Sequence, residues 1–328
     1  MINAQTSCPR SKLERATVGA AGGLILATLF CTNVEAQAPT DTPPPAPAID
    51  EALASEDAST TRGLALGTGV RASALSTAAH AYNPANLPVG RLYHVEGSVA
   101  YVPSVERWGL EAAVVDSASN RLAGGLSFRG ILGNGSEGYS GYDTRLSLGF
   151  PASDAVGLGV AGRYLNLSRD SDGEQDGQEL AEGFTFDAAF RLTPTEGIHI
   201  AGLGYNLIDV HSALAPRRVG GSAAIAVGDT IIVGADLLFD LTTYDDPEMT
   251  VGGGVELLAG EQIPLRAGYV HDAGRGVHRV SGGLGYIDQL MGLELAMTQE
   301  VSGGNATTVV ASLRYFVSAG AATPGSEL

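Results

Sequence analysis

From Leu92 to Val317 the chain alternates apolar and polar residues in fourteen segments of roughly 10–13 residues. The segments are 92–103, 107–117, 120–130, 140–151, 155–168, 183–193, 197–208, 217–227, 230–241, 248–259, 263–272, 276–287, 290–301 and 305–317. In 142–150, Tyr142, Thr144, Leu146, Leu148 and Phe150 oppose Asp143, Arg145 and Ser147. In 184–193, Phe184, Phe186, Ala188, Phe190 and Leu192 share one face, and in 231–241 an apolar row from Ile231 to Leu241 opposes Asp236 and Asp240. A period of two with one apolar face predicts strands. The segments are about twice the usual length of a globular strand, and they match the ~9–11 residues that a tilted strand needs to cross a bilayer. The connections alternate short (117–120, 151–154, 193–197, 227–229, 259–262, 287–289) and long (131–141, 169–182, 209–216, 242–247, 272–276), as in barrels with short periplasmic turns and longer outer loops. These features predict an all-β fold, a 14-stranded antiparallel transmembrane outer-membrane β-barrel.

Ahead of the strands the pattern is different. Residues 1–36 read as a signal peptide, with basic Arg10, Lys12 and Arg15, an apolar run over 16–30 and small residues before a cleavage site. Residues 37–62 are rich in Pro, Ala and acid and read as a periplasmic linker. Residues 63–91 are small and mildly apolar without a clear period, and 318–328 form a C-terminal tail after the barrel at 92–317. Within 63–91 lies AHAYNPANLP, residues 79–88, a proline-broken kink. Asn-Pro favours turns, so the stretch is either a corner leading into the first strand or part of a plug. Barrels of about 8 strands fill their interior with side chains, whereas those of about 16–18 leave a channel. Fourteen lies between, so the lumen either leaks or is occupied.

Composition narrows the chemistry. The net charge of −17 repels nucleic acid. Both cysteines, Cys8 and Cys31, lie in the signal segment, which leaves no disulfide or thiolate-metal site beyond it. The polar strand faces place Glu111, Arg129, Arg145, Arg163, Asp187, Arg191, Asp236, Asp240, Arg266, Arg279, Glu294 and Arg314 toward the lumen, as an ion-selective constriction or as a structural network of both signs. Tyr93, Tyr101, Trp108, Phe150, Tyr205, Tyr269 and Tyr315 are candidates for interfacial girdles. In 169–182, Asp172, Glu174 and Asp176 imitate half of a calcium loop, but the bidentate position falls on Gly183 with Glu182 one place early; the alternatives are a weak divalent-ion site and a solvated acidic loop. The six histidines show no metal-ligand spacing, and no nucleophile elbow, phosphate loop or dinucleotide fingerprint is present, so neither a catalytic residue nor a cofactor is expected.

The small-residue segment 63–90 with its Asn83-Pro84-Ala85 motif, the fourteen segments that follow, and a last strand ending in Tyr315-Phe316 together resemble the FadL-like family of outer-membrane transport proteins, including its PorV-type relatives. The resemblance implies that Asn83, Pro84 and Ala85 belong to a hatch folded into the barrel. It also implies passive passage of a small hydrophobic molecule in an outer membrane of a Gram-negative bacterium, with membrane lipid around the barrel. The PorV-type relatives suggest an alternative: a scaffold or shuttle barrel that binds secreted or periplasmic proteins.

Overall fold

A computed structural model of the chain describes residue 53 and residues 56–133, 139–169 and 179–317. Its strands are β1 (Tyr93–Val102), β2 (Arg107–Asp116), β3 (Ala123–Leu132), β4 (Tyr139–Pro151), β5 (Val156–Arg169), β6 (Glu179–Thr195), β7 (Ile198–Tyr205), β8 (Arg218–Val227), β9 (Ile231–Asp240), β10 (Glu248–Ala259), β11 (Ile263–Asp272), β12 (Val277–Ile287), β13 (Met291–Ser302) and β14 (Thr307–Phe316). Each strand pairs antiparallel with its sequence neighbours, and β14 pairs with β1 in a register that sets Glu96 opposite Arg314. The sheet therefore closes and has no free edge, which is the condition for strands to satisfy their backbone groups in lipid.

The expected fourteen segments are the observed strands, with ends that move by a few residues. The largest changes are at β3, which begins at Ala123 instead of 120, at β6, which begins at Glu179 instead of 183, and at β7, which stops at Tyr205 instead of 208. Asn206 ends β7: its φ of 50° is left-handed, its N–H donates to Asp187 at 2.8 Å, and its amide holds Pro216 O at 2.9 Å. The chain from Asn206 turns inward here, and Leu214 and Ala215 are buried beside Leu165, Leu167 and Ala181.

Burial along the strands is the reverse of a soluble protein. On β4, Leu146 is 55% exposed while Arg145 is 6% and Ser147 0% exposed. On β6, Phe184 and Phe190 face outward while Thr185 and Asp187 are buried. The largest fully buried side chains include Arg71, Arg107 and Arg163. An outer surface of Leu, Val, Phe and Ile around a charged interior is the surface a bilayer solvates, and a water-soluble monomer does not carry one of this extent. Leu146→Arg places a charge near the middle of this belt. It should destabilise the barrel in lipid by about 2–4 kcal/mol, measured by reversible denaturant unfolding in bilayers, whereas a protein that is soluble in water would tolerate the change.

Tyr205 corrects one expectation. Its position near a strand end suggested a girdle residue, but it shares the inward parity of Ala201 and Leu203, and it is 1% exposed. Tyr101 and Trp108 do stack on the outer wall, with ring centroids 4.2 Å apart.

Candidate functional site

The residues ahead of β1 form three short elements: α1 (Thr61–Ala65), α2 (Ser76–Tyr82) and a 3-10 turn over Pro84–Val89. Thr60 caps α1 by accepting the Gly63 N–H at 3.0 Å, which meets one of the donors a helix start leaves open. α1 packs on β11 to β14, α2 on β2 and β3, and the 3-10 turn on β3 to β6. One segment that touches opposite walls of a closed barrel lies inside it. The approach is close enough to require glycine in the wall. A Cβ on Gly234 would stand 2.0 Å from Gly69 O, and one on Gly159 2.2 Å from Ala85 N.

Two sequence expectations change here. The linker boundary at residue 62 is too late, because Leu53 and Asp57 to Arg62 already sit in the interior. Arg129 donates to Leu53 O at 3.2 Å, and Asp57 pairs with Arg71 at 2.8 Å. Composition marked this stretch as acidic leader, but an acid is what the buried Arg71 needs. The stretch AHAYNPANLP, expected to be too proline-broken for a helix, completes α2 through Tyr82, since its prolines fall after the helix end. Asn83 is the hinge between the two elements. Its Nδ2 donates to Arg71 O at 2.9 Å and its Oδ1 accepts the Ala85 N–H at 3.1 Å. Pro84 takes a first-turn position where no donor is needed. Asn86 Nδ2 donates to Ala72 O at 3.1 Å. The motif thus ties the last leg of the segment to the turn before it, inside the barrel.

The polar side chains fall into wall-to-wall and wall-to-segment groups. Across the wall, Arg129 pairs with Glu111 (2.6 Å), Arg163 with Asp143 (2.6 Å) and Arg145 with Asp187 (2.6 Å). Arg266 bridges Glu256 and Glu294, both at 2.5 Å, and Arg314 joins Glu294 (3.3 Å) to Glu96 (2.8 Å). From the inner segment, Arg62 reaches Glu256 at 3.0 Å, Arg71 reaches Asp236 at 2.8 Å, Thr61 donates to Glu294 at 3.4 Å, and Thr77 bonds Glu96. Three of the expected lumen residues stand outside these pairs. Asp240 accepts the N–H groups of Thr242 and Thr243 in the turn after β9. Arg279 lines a small recess with Asp57 and Thr298. Arg191 lies near the short-turn end. Asp57, Arg62 and Arg71 went unread in the sequence; the only signal was two arginines in an otherwise small, apolar stretch. Of the calcium-loop candidates, Asp172, Glu174 and Asp176 lie outside the described residues, and Glu182 on β6 accepts a hydrogen bond from Tyr164 at 3.1 Å. Among the described residues no group of three or more His, Cys, Asp or Glu could hold a metal ion.

His80 marks the centre of the inner segment. Its Nε2 meets Ser127 Oγ at 2.9 Å and its Nδ1 meets Ser147 Oγ. Burial, and after it the Arg145 guanidinium, lower its pKa from 6.5 to about 3. The folded state therefore holds the neutral ring. With the folded pKa below the unfolded one, the folded protein binds fewer protons, so stability is complete above pH 6.5 and is lost as pH falls from 6.5 toward 3. The expected loss is roughly 1.4 kcal/mol per pH unit in that window. Thermal unfolding as a function of pH checks it, and His80→Gln, which cannot titrate, should flatten the slope.

Small cavities remain around the segment. One of about 10 Å³ lies among Glu111, Arg129, Asp143, Arg145 and Arg163. A second, of about 130 Å³, lies between Ala72 to Leu75 and the wall at Arg191, His199 and Ile232. A recess of about 490 Å³ opens at the short-turn end beside Val89, Arg121, Pro151 and Asp154.

No protein-family model matches the chain, and no curated protein matches it. Solved structures do. The toluene transporter TbuX of Ralstonia pickettii aligns with a TM-score of 0.54 at 14% identity, covering 77% of this chain and 96% of its own. A FadL homologue of Pseudomonas aeruginosa aligns at 0.58 and 12% identity, covering 78% and 97%. The monoaromatic hydrocarbon channel CymD aligns at 0.55 and 12% identity, covering 82% and 98%. At these identities the likeness is one of architecture, and by that measure the chain has the fold of the FadL-like outer-membrane transport barrels.

Proposed function

We propose that the chain is a non-enzymatic outer-membrane barrel that passes small hydrophobic molecules passively through a lumen occupied by its own N-terminal segment. The observation that carries this reading is the occupied lumen itself. A closed fourteen-stranded wall with an apolar outer belt contains a segment joined to it by apolar packing and by side-chain ion pairs and hydrogen bonds, none of which belongs to the strand pairing of the wall. The architecture it shares with TbuX and CymD adds support, since those proteins are described as a toluene transporter and a monoaromatic hydrocarbon channel. Near the long-loop end, Tyr139, Leu165, Leu167, Ala181 and Leu214 form a fully buried apolar cluster inside the barrel, so the lumen is not polar throughout. Arg129, Arg145, Arg163 and Arg266 pair with carboxylates at close range, which favours the structural reading of these lumen charges over an ion-selective constriction. No observation favours the scaffold alternative.

The test is uptake of radiolabelled toluene by cells whose outer membrane carries an intact lipopolysaccharide leaflet, with and without the chain. Faster uptake with the chain is expected. Equal uptake, with the chain present in outer membranes and showing heat-modifiable mobility, overturns the reading.

A further inference from the structure

We infer that the short-turn mouth of the barrel holds a binding site for a small amphipathic carboxylate, with its apolar body in the pocket beside Ala74 and its carboxylate on Arg191. The inference places a ligand class on the route proposed above, but it rests on the local geometry and is tested by binding.

Arg191 is 8% exposed, its Nε has no hydrogen-bond partner, and its Nη2 reaches only a backbone oxygen, Asp154 O, at 3.4 Å. Other interior arginines, such as Arg62, Arg71 and Arg266, each stand within 3.0 Å of a carboxylate. A buried guanidinium without a counter-charge is costly, and a planar carboxylate can supply two parallel charge-assisted hydrogen bonds. Gly157 lets the wall approach both the inner segment and this side chain, since a Cβ there would stand 2.6 Å from Ala85 O and 3.1 Å from Arg191 Nε.

Arg191 is shared by two cavities. On one side is the pocket of about 130 Å³, whose apolar lining includes Ala72, Ala74, Leu75, Val89 and Ile232. Its size is near the ~150 Å³ of an apolar cavity that accepts benzene. On the other side is the recess of about 490 Å³, where Arg91 and Arg121 outnumber the acid Asp154. An apolar ring in the first cavity with its charged group turned toward the second satisfies both surfaces. Among the described residues Arg191 is the one guanidinium that lines both cavities, and a planar carboxylate matches its fork of donors.

The full chain in lipid nanodiscs is titrated calorimetrically with benzoate, benzyl alcohol and acetate. Benzoate is expected to bind about tenfold or more tightly than either of the others. Arg191→Gln should abolish the preference for benzoate over benzyl alcohol, Arg191→Lys should retain part of it, and Ile232→Trp should weaken both aromatic ligands by filling the pocket. Equal binding of benzoate and benzyl alcohol, or of benzoate and acetate, overturns the proposal, as does an unchanged preference in a folded Arg191→Gln barrel. The toluene uptake assay separates the two readings. Arg191-dependent benzoate binding in a chain that does not speed uptake leaves the site standing and removes transport; uptake without that binding does the reverse.

Discussion

Deletion of residues 56–90 turns the barrel from a closed body into an ion-conducting pore, with single-channel conductance in planar bilayers rising by an expected order of magnitude or more. Fourteen strands enclose more space than wall side chains fill, and here the balance is taken up by α1, α2 and the 3-10 turn. The wall does not depend on them for closure. Its strand pairing is complete without them, and the ion pairs of Arg129 with Glu111, Arg163 with Asp143 and Arg145 with Asp187 lie entirely within it. The deleted barrel should therefore keep heat-modifiable mobility. Unchanged conductance in a folded deletion variant would mean that the segment does not seal the lumen.

The wall was legible in the sequence because each strand divides two solvents. Tyr142, Leu146 and Leu148 had to lie on one face and Asp143 and Arg145 on the other, and a period of two records that directly. Strand ends were less legible where a side-chain bond decides them, as Asn206 does for β7. The pairing of lumen charges was not legible. Arg145 stands opposite Arg163 in the β4–β5 register, a like-charge pairing, and the conflict is resolved only because Arg145 reaches Asp187 on β6 while Arg163 turns back to Asp143. Such choices depend on side-chain reach across several strands. The inner segment was the least legible part. It packs on surrounding walls instead of one flat face, so it carries no period, and Asp57 looked like solvated leader although it is a counter-ion of Arg71. The Asn83-Pro84-Ala85 motif was visible, but its use was not, since its partners are backbone carbonyls at 71 and 72.

Arg71→Met should loosen the inner segment without opening the wall. The guanidinium is fully buried and donates to Asp236 and Asp57 (both 2.8 Å), to Tyr205 Oη (2.9 Å) and to Thr68 O (3.2 Å). Tyr205 in turn donates to Tyr82 O at 2.5 Å, and Arg71 O receives Asn83 Nδ2, so one residue couples the turn after α1, the end of α2 and the strands β7 and β9. Methionine preserves much of the volume but leaves Asp236 buried without its cation, with the Ser222 hydroxyl and the backbone N–H of residue 71 as its remaining donors. Breaking one side of a buried pair costs about 3–5 kcal/mol. That cost falls on the seating of the segment, because the β8–β9 and β9–β10 ladders do not involve Arg71. The expected readouts are faster protease cleavage within residues 56–90 and current fluctuations in planar bilayers, with the barrel's heat-modifiable mobility preserved. Arg71→Met combined with Asp236→Asn should recover part of the loss, since the stranded charge is gone and Asp57 keeps Arg218 at 3.7 Å; the non-additivity of the two changes measures the coupling. If Arg71→Met alone leaves cleavage and current unchanged, the segment is held by its packing on the wall and not by this ion pair.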